Sequence, residues 1–106
     1  MNEYPKRIRK ELRRLAGIAY DRDMKKALGE LESNFLKWRS GELSPHDLND
    51  IIHKHHDGIS RDLWKFYHQA PAVTVPQSIA DGTISEDEVP KEVMDSIAES
   101  VAFYRK

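Results

Sequence analysis

The stretch Lys6–Arg39 contains no proline, and apolar side chains recur along it at helical spacing. Pro5 stands just before it, in a first-turn position where a missing N–H removes no hydrogen bond. As one unbroken helix the stretch would be roughly 50 Å long. A globular chain of this size has a radius of gyration of only about 13 Å. The apolar pattern also changes phase. Ile8, Leu12, Leu15 and Ala19 share one face, whereas Tyr20, Met24, Ala27, Leu28, Leu31, Phe35 and Trp38 form a second stripe. The centres of the two stripes are about 120° apart on a helical wheel. The helix must therefore break or kink near Gly17, or project and pack against another subunit. A long or kinked first helix is expected, with its later half as the main core element.

The remainder reads as further helices. Gly41 suits a left-handed helix stop. Ser44, Pro45 and Asp47 then form an N-cap, a first-turn proline and the acidic member of a capping box. The short connection predicts an antiparallel partner helix from Pro45 to about Gln69. Its apolar stripe is Leu48, Ile51, Ile52, His55, Ile59, Leu63 and Phe66. Gly58 interrupts that helix and predicts a kink or break, with Ser60 able to cap a restart. Residues 70–77, APAVTVPQ, read as an extended connector because Pro71 and Pro76 oppose a regular helix. SIAD after it is at most one helical turn, stopped by Gly82. Ser85 and Glu88 form a second capping box. The last helix starts there or at Pro90 and runs to about Tyr104, burying Val93, Ile97, Val101 and Tyr104. The expected fold is all-α: one domain over residues 1–106, an antiparallel helical hairpin with a C-terminal helix packed across it in a small bundle.

Composition narrows the function classes. The chain has 106 residues, 39% hydrophobic and 33% charged, and no cysteine. A disulfide scaffold, a thiolate metal site, an iron–sulfur cluster and a cysteine nucleophile are thereby excluded. Mean hydropathy is -0.72, and no apolar run is long enough to span a membrane. The opening residues lack the apolar segment of a signal peptide, so the expectation is a cytoplasmic protein. Net charge is -1 but unevenly distributed. Residues 1–14 carry six Lys/Arg against two Glu, and residues 81–99 carry seven Asp/Glu against one Lys. Such opposite ends can pair within the fold, pair between subunits, or face separate partners.

SPHDLNDIIHKHHDG, residues 44–58, holds four of the five histidines. On a helix, His55 falls within the apolar stripe, where a histidine is usually a core or interface residue with one satisfied hydrogen bond. His46, Asp50, His53 and Asp57 fall together on the opposite side, and Arg61, Trp64 and His68 extend that face. A solvated polar face is the simplest explanation of the first four. Trp64 argues for more, because tryptophan is an uncommon component of a free polar surface. This face is expected to meet the C-terminal helix, a second subunit or another protein. For metal, Asp50 and His53 are the weak candidates, a D-x-x-H spacing that needs ligands from a second helix. No cofactor is expected.

RDLWKFYH, Arg61 to His68, places a histidine seven positions after an arginine with an acidic residue beside it. The spacing is similar to the R-x(4-6)-H motif of the HEPN family of helical ribonucleases. That resemblance implies metal-independent RNA cleavage at a dimer interface, with His68 as acid/base and Arg61 on the phosphate oxyanion. It covers eight residues, and Arg39 to His46 meets the same spacing across a turn. No nucleophile elbow or glycine-rich phosphate loop occurs.

The first helix turns Arg7, Arg9, Lys10, Arg13 and Arg14 outward, with Lys6. These side chains can bind an anion or a nucleic-acid backbone, or serve as a solubilising face paired with the acidic C-terminal region. No aromatic side chains interleave them to stack bases. Taken together, the chain reads first as a non-catalytic protein-interaction or assembly module. Its expected partner is a second copy, as a homodimer, or another protein, with no membrane and no small-molecule substrate. A HEPN-like ribonuclease and an anion- or nucleic-acid-binding module are the alternatives.

Overall fold

A computed structural model describes residues 4–106 of the chain; Glu3, one of the two acidic residues in the basic start, lies outside them. The fold is all-α, and no strand occurs among the described residues. The helices are α1 (Lys6–Arg39), α2 (Pro45–His55), α3 (Arg61–Tyr67), α4 (Pro71–Ala80) and α5 (Lys91–Tyr104). A π-helical segment, His56–Ser60, joins α2 to α3, and a 3-10 turn, Glu86–Glu88, precedes α5. No helix among the described residues is long and apolar enough to cross a membrane. The chain divides into two compact units. Of the described residues, 4–22 together with Tyr67–Lys106 make one, and Asp23–Phe66 make the other. The division falls within α1.

α1 continues through Gly17 as regular α-helix. Gly17 is exposed, and nothing lies within 4 Å of the position a Cβ would take. It weakens the helix by about 1 kcal/mol relative to alanine, but Leu15 and Ala19 on either side of it are fully buried and hold the turn. The helix ends as expected at Gly41, with φ +86°. The Gly41 N–H donates to the Trp38 carbonyl at 3.1 Å and the Glu42 N–H to the Lys37 carbonyl at 2.9 Å. These two bonds form a Schellman stop.

The first unit holds the core. Ile8, Leu12, Leu15 and Ala19 of α1 are buried against one cluster with Val75 and Ile79 of α4, Ile84, Val89, and Val93, Ile97 and Val101 of α5. The expectation that the later half of α1 forms the main core is therefore reversed: the early half does. Tyr104, expected in the buried stripe of α5, is 40% exposed at the helix end. Tyr20 and Tyr67 stack, with ring centroids 4.7 Å apart.

The expected connector over residues 70–77 is instead the start of α4, and SIAD is its second half. Pro71 occupies the first turn, where it deletes no hydrogen bond. Pro76 does remove a donor in mid-helix. However, Thr74, Val75, Pro76, Ser78 and Ile79 are all buried. Burying several such side chains gives several kcal/mol, which offsets the roughly 3 kcal/mol disfavour of an interior proline. The Thr74 hydroxyl is the one buried side-chain oxygen among the described residues with no hydrogen-bond partner. Gly82 ends the segment at φ +88°, and the Ser85–Glu88 capping box forms.

The uneven charge pairs within this unit. The Arg7 guanidinium contacts the Glu92 carboxylate at 2.7 Å. Arg22 is clamped harder: its Nη1 donates to Glu88 Oε2 at 2.8 Å and to the Thr83 carbonyl at 2.9 Å, and its Nη2 donates to the other Glu88 oxygen. Glu88 also accepts from the Ser85 backbone N–H and hydroxyl. The Arg22 guanidinium, helped by these Ser85 donors, holds the Glu88 carboxyl down to about 2.

The second unit is the later part of α1, residues 40–44, and the helical run through α2, the π segment and α3. The Ser44 hydroxyl caps α2 by accepting from the Asp47 N–H at 3.0 Å. The run ends at Tyr67, short of the expected Gln69. The helical run passes through Gly58 as a π segment rather than breaking, and Ser60 lies inside that segment.

Candidate interaction face

The second unit has little core of its own. Between Asp23 and Phe66 only Ala27 and Leu48 are buried hydrophobic residues. Leu28 is 50% exposed, Trp38 38% and Trp64 54%, and Leu36 and Ile59 are exposed with them. The chain's two tryptophans both stand on this unit. A leucine left half exposed forgoes about half of the roughly 1.5–3 kcal/mol that full burial would supply. Single exposed apolar residues are ordinary; a group of them on a unit with almost no core is not.

α1 organises much of this surface. Met24, Leu28, Leu31, Phe35 and Trp38 are separated by four, three, four and three residues. This is the a/d spacing of a coiled-coil seam, and none of the five is buried. These five residues belong to the apolar stripe of the later half of the helix, which also includes Tyr20 and Ala27. One flank of the seam is occupied. Ala27 and Asn34 line a cleft of about 430 Å³ with Glu30 and Leu31, and the facing wall is Ile51, Lys54, His55 and Ile59. The other flank presents Lys25, Glu32 and Arg39, all exposed. They alternate in sign at seven-residue intervals.

The histidines divide as helical geometry requires. His55 is half-buried in the cleft between Ile51 and Ile59. His46, Asp50, His53 and Asp57 are exposed. Arg61 and Trp64 do not continue their file. A π turn uses about one residue more than an α turn, so α3 is carried back by roughly 100° relative to an unbroken helix. The face expected to run from His46 to His68 is thus interrupted at His56–Ser60. Arg61 is the first residue of α3, whereas His68 lies in the turn beyond its end.

Asp50 and His53 remain an exposed pair on α2. No group of three or more His, Asp or Glu able to hold a metal ion occurs among the described residues. Of the anion-binding candidates, Arg7 is paired with Glu92 and Arg14 with Glu11 at 2.8 Å. Arg9 Nε donates to the Tyr4 carbonyl at 3.2 Å. Lys10 and Arg13 are exposed. Three of the five cationic groups thus already have an acceptor inside the protein. Comparison with known protein families, curated proteins and solved structures gives no match for this chain.

Proposed function

We propose that the chain is a non-catalytic protein-interaction module, and that residues 23–66 carry the interaction. The observation behind this reading is the contrast in burial. The first unit buries eleven apolar residues in one cluster, with Val73, Phe103 and Tyr104 left partly exposed, whereas the second buries only Ala27 and Leu48 and leaves Leu28, Trp38, Ile59 and Trp64 between 38% and 54% exposed. A helix pair in that condition gains most by burying its face against another protein. The charge of the unit favours such contact. Residues 23–66 carry seven Lys/Arg and eight Asp/Glu, so no strong single-sign field repels an approaching chain.

The test is site-specific photocrosslinking in cells that express the protein. A photoreactive side chain replaces Trp64 or Leu36 in one set and Arg13 or Lys91 in another. Protein adducts are expected from the first set and not the second. Adducts from neither set, or only from the second, would overturn the reading.

A further inference from the structure

We infer that the partner of this face is a second copy of the same chain, docked antiparallel along the seam Met24–Leu28–Leu31–Phe35–Trp38. The inference rests on the interaction reading above and gives the partner an identity. A seam with four–three spacing selects its occupant narrowly. Its knobs fit holes made by another helix with the same repeat, and α1 itself supplies such a helix. α2 and the π segment already stand on the Ala27–Asn34 flank, so a second helix must enter from the Lys25–Glu32 flank.

The charges on that flank choose the orientation. In an antiparallel pair, e positions face e positions; in a parallel pair they face g positions. With Leu28 and Leu31 at a and d, Lys25 and Glu32 are e residues, and the g residues are Ala27 and Asn34. Parallel pairing therefore offers no opposite charges. Antiparallel pairing, with Leu28 opposite Leu31 of the partner subunit and Met24 opposite Phe35 of the partner subunit, places Lys25 beside Glu32 of the partner subunit, twice by symmetry. Four of the five seam residues, Met24, Leu28, Leu31 and Phe35, are matched in that one register, and Trp38 lies beyond the matched layers.

The seam is roughly 20 Å long. Two helix pairs joined this way form a four-helix bundle, which closes the apolar surface that one pair leaves open.

Sedimentation or light scattering from about 1 µM to about 1 mM measures the association. A reversible dimer is expected. Leu28→Asp should weaken it by more than about 100-fold, since the charge is introduced twice in a dry seam. Lys25→Glu and Glu32→Lys should each weaken it several-fold, and the double variant should recover the parent affinity. Both charge changes are at exposed residues, so helical circular dichroism should not change. A dimer indifferent to Leu28→Asp, or a double variant that recovers nothing, would overturn the proposed seam. A monomer up to about 1 mM would overturn self-pairing. That result is distinguishable from failure of the interaction reading, because crosslinks from Trp64 to a different protein would still be found.

Discussion

The two halves of α1 carry apolar stripes of the same quality and meet different fates. Ile8, Leu12, Leu15 and Ala19 are almost completely buried, whereas Leu28 and Trp38 on the same helix are half or more than a third exposed. The spacing within each stripe is alike: four, three, four. The difference is what the rest of the chain provides. Early α1 is met by α4, the 84–89 loop and α5. Late α1 is met on one flank by α2 and the π segment and left open on the other. Periodicity reports that a face is apolar; it does not report what covers it.

Substitution should separate the halves most strongly. Leu12→Ala is expected to destabilise the chain by about 2–5 kcal/mol in denaturant titration, because it removes core contacts and leaves a cavity. Leu28→Ala, measured at a dilution where the chain is monomeric, should change stability by less than about 1 kcal/mol. Equal effects would erase the contrast.

Two smaller changes sharpen the picture of the closed half. Gly17→Ala should stabilise by about 1 kcal/mol, since the helix is continuous there and the methyl group meets only solvent. A loss of stability would show that α1 bends at that point. Thr74→Val removes the unpartnered buried hydroxyl while keeping its shape. Thermal unfolding should show a gain of up to about 1 kcal/mol, and a loss would mean that the hydroxyl has a partner.

The smallest effect concerns acid. The Glu88 carboxyl is lowered from 4.5 to about 2, first by Arg22 and then by Ser85. A carboxylate held low stabilises the fold above its unfolded-state value and ceases to do so as pH falls through the folded one. The Arg22–Glu88 contribution is therefore complete above about pH 4.5 and fades toward pH 2. Comparison of the acid limb of unfolding in the parent and Glu88→Gln should show a shallower decline in the variant. Because the pair is solvent-exposed, the difference should shrink in high salt.

Much of the architecture was legible in residues. The all-α class, the Gly41 stop, the Ser44 cap, the Ser85–Glu88 box and the Val93–Ile97–Val101 stripe all follow from local rules. α4 was hidden because its two prolines speak against a helix, while the force that makes it one, burial of Val75 and Ile79, is tertiary. The π segment was hidden because Gly58 signals weakness in a helix without saying how the weakness is relieved. That single turn then displaced Arg61 and Trp64 from the face that an ideal helix gives them. The four histidines of residues 44–58 stand at exposed or half-buried positions, whereas the 24–38 seam is built from ordinary apolar residues.

Hydrogen exchange measured over a range of protein concentrations tests the contrast most directly. Amides of α1 before Arg22, and those of α4 and α5, should be strongly protected and indifferent to concentration. Amides of residues 24–38 should exchange faster in dilute solution and gain protection as concentration rises. Uniform protection along α1 at every concentration would contradict the division into a closed half and an open one.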